Sequence, residues 1–121
     1  MDPIHADAAP PAAGPYSHAI RTGNLVFLAG QGPFDPATGT MPEAIEAQVR
    51  QTFENLATVA QAAGTSLANA VRVGVYLRSM DDFAAMNHVY TEFFSEPYPA
   101  RTTIQSDMTI PVEADAVLEL P

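Results

Sequence analysis

Apolar and polar positions change period several times along the chain, and each change marks an element. Tyr16–Ile20 reads as a strand, and Arg21-Thr22-Gly23-Asn24 as a hairpin connection. Leu25-Val26-Phe27-Leu28-Ala29 is an apolar run suited to a buried strand, and Gly30-Gln31-Gly32-Pro33 ends it. From Glu43 to Ala63 the period becomes helical: Ile45, Val49, Phe53, Leu56, Val59, Ala60 and Ala63 form one stripe, while Glu46, Arg50, Glu54 and Gln61 take other faces. Pro42 and Glu43 suit its first turn, and Gly64 its C-terminal cap. Residues 70–78 alternate strictly, with Val71, Val73, Val75 and Leu77 pointing one way and Arg72, Gly74, Tyr76 and Arg78 the other. Ser79 or Asp81 can cap a second helix whose inner face holds Phe83, Met86, Val89 or Tyr90, and Phe93. A strand from Arg101 follows the Pro97 and Pro99 segment. A last strand, Val112–Leu118, sets Val112, Ala114, Ala116 and Leu118 against Glu113, Asp115 and Val117.

The predicted order is therefore β-β-α-β-α-β-β with no internal repeat. Two helices cannot cover both faces of so wide a sheet, so both are expected on one face of a two-layer α+β domain. The other face, mixing Arg, Tyr, Thr, Glu and Asp with small apolar residues, suits a subunit interface as readily as solvent. The 121 residues fit one domain. Within it, residues 1–13, rich in proline and alanine, are expected to be loosely ordered.

Composition removes much chemistry. There is no cysteine, so disulfides, thiolate metal sites and a cysteine nucleophile are excluded. All 5 basic residues are Arg, which leaves no lysine for a Schiff base or a phosphate loop. A net charge of −9, with Arg21, Arg50, Arg72, Arg78 and Arg101 scattered, disfavours nucleic-acid and anionic-membrane partners. The acidic, proline-rich start is not a secretory signal, and a cytoplasmic location is expected. His5, His18 and His88 show no metal-ligand spacing, Glu113 and Asp115 alone do not make a metal site, and no Gly-x-Ser-x-Gly segment is present; neither metal nor cofactor is expected.

What survives is concentrated at Pro99-Ala-Arg-Thr-Thr-Ile-Gln105. Arg101, Thr103 and Gln105 share one face of the strand, Thr102 and Ile104 the other. An arginine at a strand start beside small hydroxyl residues can hold a carboxylate through two parallel hydrogen bonds, or sit in a surface ion pair.

Gly14-Pro15-Tyr16-Ser17-His18-Ala19, Gly30-Gln31, Asp35-Pro36-Ala37-Thr38-Gly39, Asn55-Leu56, Ala62-Ala63-Gly64, Phe83-Ala84-Ala85-Met86-Asn87, Pro99-Ala100-Arg101 and Val112-Glu113 resemble, in order and spacing, the RidA/YjgF family over nearly the whole chain. The resemblance implies a chorismate-mutase-like homotrimer, with its sheets forming a central barrel and its clefts lying between subunits. It also implies hydrolysis of reactive enamines or imines, such as 2-aminoacrylate, to 2-keto acids and ammonia. It further implies that Arg101 holds the substrate carboxylate and Glu113 activates water, and that Tyr16, Gly30 and Asn87 line the cleft. Thr103 stands where relatives often carry cysteine. Ala29 replaces the serine usual before Gly-Gln, and the Arg101-to-Glu113 connection is a few residues short.

Such a reaction asks for placement and one proton acceptor, with no covalent intermediate. Tyr16 and Asn87 could equally serve packing and backbone bonding, and His18 a structural or rim role. A non-catalytic trimer binding small carboxylates or partner proteins is the alternative. A ribonuclease or translation inhibitor, activities also described in the family, fits the acidic charge less well.

Overall fold

The computed structural model describes all 121 residues. Six strands form one sheet in the order β1-β2-β3-β6-β4-β5: β1 Asp2–Ile4, β2 Ala19–Thr22, β3 Leu25–Gln31, β4 Ala70–Leu77, β5 Ala100–Gln105 and β6 Val112–Glu119. Only β4 and β5 run parallel. Helices α1 (Ile45–Ala62) and α2 (Phe83–Tyr90) both lie on one face, so the fold is the two-layer α+β arrangement the periodicities predict. No helix is long and apolar enough to cross a membrane.

The sheet's inner face supplies Val26, Leu28, Val73, Val75, Leu77, Val112, Ala114, Ala116 and Leu118, and α1 answers with Val49, Phe53, Leu56, Val59 and Ala60. Phe53 is the pivot of the helix layer. Its ring lies 5.6 Å from Tyr90, 5.5 Å from Phe93 and 5.6 Å from Phe94. Tyr90 and Phe94 stack with centroids 4.4 Å apart. The helix core thus sets the position of Tyr90, which matters below.

Several boundaries differ from expectation. Residues 2–4 are drawn into the sheet as an edge strand, and Ala6 and Ala9 are buried, so the N-terminal segment is built into the fold rather than left loose. Its fastening is His18. The ring Nδ1 accepts from the Ala6 N–H at 2.9 Å and Nε2 donates to the Pro10 carbonyl at 2.8 Å, which gives this buried histidine the structural role. Accordingly β2 starts at Ala19 rather than Tyr16. Helix α1 starts at Ile45, two residues beyond Glu43; the Gln48 amide donates back to the Pro42 carbonyl at 2.8 Å. Gly64, at φ +83°, closes it as foreseen. Val71 is exposed because the β4–β6 register shifts between Ala70 and Arg72. Ser79 caps not α2 itself but the 3₁₀ turn before it, accepting from the Asp81 N–H.

Phe53→Ala should lower unfolding free energy by about 3–5 kcal/mol, through lost burial and a cavity beneath Tyr90. Urea denaturation would register this as a lower midpoint at unchanged slope.

Candidate active site

The pleat of β5 sends Arg101 and Thr103 toward the helices. Arg101 pairs with fully buried Val73 on β4, and partners in a sheet share a face. Its guanidinium carbon stands 4.6 Å above the Tyr90 ring and 5.8 Å from the Phe83 centroid, with Nη1 3.8 Å from Met86 Sδ. No carboxylate pairs with it; the one ion pair in the protein is Arg50–Glu92 on the surface. The cation is held by π faces and sulfur, which orient it while leaving its forked donors unneutralised. It lines a hollow of about 400 Å³ with Asn87, Tyr90, Thr91, Tyr98 and Pro99. Two buried hydroxyls on this side of the sheet, Tyr90 Oη and Thr103 Oγ1, have no hydrogen-bond partner. Orphaned buried groups of this kind are uncommon. Thr103 does not itself line the hollow.

Glu113 lies on the opposite face. Its neighbours Val112 and Ala114 are fully buried against the helices, so its own side chain leaves the sheet on the uncovered side. There it faces Tyr16, Gly30, Gln31, Gly32, Phe34, Ile110 and the Pro10–Ala13 segment around a second hollow of about 190 Å³. Gly30 sits where β3 carries one residue too many between the pairs Leu28↔Ala116 and Gln31↔Ala114. A Cβ at Gly30 would come within 2.6 Å of Glu113 Oε2, so glycine is needed for the carboxylate to fold down over the strand. Asn55 secures the far wall: its amide donates to the Gly32 and Phe34 carbonyls at 3.0 and 2.7 Å. Tyr16 accepts from the Ala13 N–H at 3.1 Å, which bends the proline segment over the hollow.

Glu113 accepts no hydrogen bond from the protein. Burial, and next the charge of Asp115, push its carboxyl above the ordinary carboxylate range. Burial likewise raises the Tyr90 phenol, against the smaller opposing effect of Arg101.

The residues singled out in the sequence therefore fall into two groups. Tyr16, Gly30 and Glu113 share one hollow, and Arg101 and Asn87 the other. Ala29 lies in the β3 bulge and lines neither hollow. Within one chain the sheet itself separates Arg101 from Glu113. Two contributors were not assigned to the site from the sequence: Tyr90 as the platform under Arg101, and Asn55 as the loop fastener. Tyr90 follows Met86 by four residues and Asn87 by three, so helical spacing alone puts it beside them.

Comparison with known proteins adds the family. The family model described as Endoribonuclease L-PSP matches residues 6–118. A RutC family protein of Pyrococcus horikoshii is 45% identical, over 96% of this chain and 97% of its own. The 2-iminobutanoate/2-iminopropanoate deaminase of Salmonella typhimurium is 37% identical, over 94% and 95%. Among solved structures, RidA from an Antarctic Psychrobacter superposes with a TM-score of 0.95 at 40% identity, covering 99% of this chain and 100% of that one. E. coli TdcF with bound serine superposes at 0.93 and 30% identity, covering 100% of both. The ordered motifs, the one-faced α+β sheet and these matches agree, and the chain belongs to the RidA/YjgF (RutC, endoribonuclease L-PSP) family.

Proposed function

We propose that this protein hydrolyses reactive enamine and imine intermediates of the 2-aminoacrylate type to 2-keto acids and ammonia, in clefts that neighbouring copies of a homotrimer build together. The observation that carries the reading is the unpaired guanidinium of Arg101 lining a hollow, on the opposite side of the sheet from a carboxyl whose proton affinity is raised. Arg101 of one copy holds the substrate carboxylate by two parallel hydrogen bonds, with Asn87 at its side. Glu113 of the next copy takes a proton from water as the water adds to the imine carbon. The resulting amino alcohol then expels ammonia to leave the keto acid. Glu113 passes water's proton to the imine nitrogen to complete the amino alcohol. It then takes the new hydroxyl's proton and gives it to the amino group as the C–N bond breaks, so both protons of water leave on ammonia as the carbonyl forms. Placement and one acceptor suffice, so no cofactor or metal enters the scheme.

Assembly supplies what the single chain lacks. The uncovered face carries Phe27, Val117 and Ile104, and Phe27 and Ile104 are 45% and 44% exposed. Covering that face in a barrel would bury this apolar surface. A cytoplasmic location belongs to the same proposal. The deaminase name of the Salmonella relative supports the reaction class.

The serine bound to TdcF favours a second reading, a non-catalytic trimer that binds small carboxylates. The two part on turnover. With an imine generated in situ by an amino-acid oxidase, wild type should accelerate ammonia and keto-acid release. Arg101→Ala should lower kcat/KM by about 2–5 kcal/mol of transition-state binding, roughly 30- to 5,000-fold. Equal rates for the two proteins would remove the deaminase and leave the binding module.

Glu113 as proton acceptor should also cost stability. A carboxyl whose folded-state pKa is raised binds its proton more tightly when folded, so the native state is penalised once pH rises through the unfolded value and beyond. Glu113→Gln should therefore melt above wild type at neutral pH. The gap should close as pH falls below the ordinary carboxylate range, which paired melts across pH would show.

A further inference from the structure

Asp115 follows Glu113 by two residues on β6 and leaves the sheet on the same face. The two acids are seated alike. Glu113 lies over Gly30 of β3, and Asp115 pairs with Gly74 of β4, where an added Cβ would collide with its Oδ1 and come within 2.9 Å of the Tyr76 hydroxyl. A glycine inside a strand weakens it, and here the room it frees is filled by a carboxylate. The acids differ in their partners. The Tyr76 hydroxyl donates to Asp115 Oδ2 at 2.9 Å, although the residue directly across from Tyr76 is Glu113. Glu113 accepts nothing.

The kind of donor decides the effect. An arginine or lysine in that place would fix Asp115 and cancel its charge, whereas a phenol fixes it and leaves the charge in force. The bond to Asp115 is the largest cause raising the Tyr76 phenol, which keeps the donor protonated. Arg72, on the same face of β4, forms no ion pair with either acid. The titratable and charged groups on the face Glu113 occupies are thus Asp115 on β6, Tyr76 and the more distant Arg72 on β4, Arg78 just past the end of β4, whose Nη1 donates to the Thr109 carbonyl at 3.3 Å, and Tyr16 in the segment before β2. β3 contributes none there.

We propose that Asp115, pinned by Tyr76 over Gly74, is a positioning residue for Glu113: a tethered, uncancelled negative charge that keeps the neighbouring carboxyl an effective proton acceptor. The inference rests on the reading of Glu113 as the group that activates water. Asp115 touches neither hollow and acts only through its neighbour. That the Asp115 charge is the second cause raising the Glu113 carboxyl, after burial, accords with this geometry. A stronger base nearer working pH is the better acceptor for the proton of attacking water.

The test is the acid limb of the kcat/KM profile, measured on 2-iminopropanoate generated in situ with the oxidase in excess. Asp115→Asn keeps the shape and the Tyr76 hydrogen bond but removes the charge. It should move the limb to lower pH by about half to one unit and lower the plateau rate. Glu54→Gln, which removes an equal charge from the exposed side of α1, should move nothing. Tyr76→Phe keeps the charge and cuts its tether; it should shift the limb in the same direction by less, and it decides the matter if the asparagine variant does not fold. An unmoved limb in Asp115→Asn, or in Tyr76→Phe in its stead, overturns the inference provided that Glu113→Gln is inactive. An active Glu113→Gln overturns the reading of Glu113 itself, and the role of Asp115 with it.

Discussion

A β-pleat cannot present neighbouring odd and even positions on one side, and this constraint governs the molecule. Arg101 shares its face with Val73 and Ala116, and Glu113 shares its face with Asp115 and Tyr76. The hydrophobic layer between sheet and helices lies on Arg101's side, and the sheet stands between the two side chains. No rotamer change brings the guanidinium and the carboxyl to one small molecule within a chain. The chemistry ascribed to them therefore requires a second copy, and an enzyme built this way couples activity to assembly.

The two halves are prepared by different physics. On the helix side, Phe53 sets Tyr90, and Tyr90 with Phe83 and Met86 holds a cation without neutralising it. On the open side, glycines at 30 and 74 give two carboxylates room to lie against the sheet, and only one of them receives a donor. A half-buried carboxyl left free of donors is unfavourable in an ordinary fold, and here it accompanies a guanidinium fixed by aromatic rings with no acid beside it. Their joint presence argues for a use outside the isolated chain.

Much of this was legible from residue order, because the strongest signals are local. The helical stripe from Ile45 to Ala60, the alternation at 72–77 and 112–118, and the two faces of the Arg101 strand follow from period alone, and they put Arg101 and Glu113 on definable faces. What could not be read arises from contacts distant in sequence. The N-terminal strand contains Pro3 and precedes an alanine-proline stretch, so local propensity argues against it; it forms because β2 offers an edge and His18 fastens Ala6 and Pro10. The bond from Tyr76 to Asp115 spans 39 residues and depends on the β4–β6 register, which no local pattern specifies. The meeting of Gly30 and Glu113 in one hollow follows from strand order, in which β6 lies beside β3.

The proposal of a cleft shared between copies is tested most directly by mixing two variants, each lacking one of the two groups. Arg101→Ala retains Glu113, and Glu113→Gln retains Arg101, so each alone should be inactive in imine hydrolysis. Unfolded together in equal amounts and refolded, they should form mixed trimers in which about a quarter of the clefts pair an intact arginine with an intact glutamate from the next copy, restoring about that share of wild-type activity. Mixed trimers that stay as inactive as either parent would contradict the account, because the two groups would then not meet across a boundary between copies.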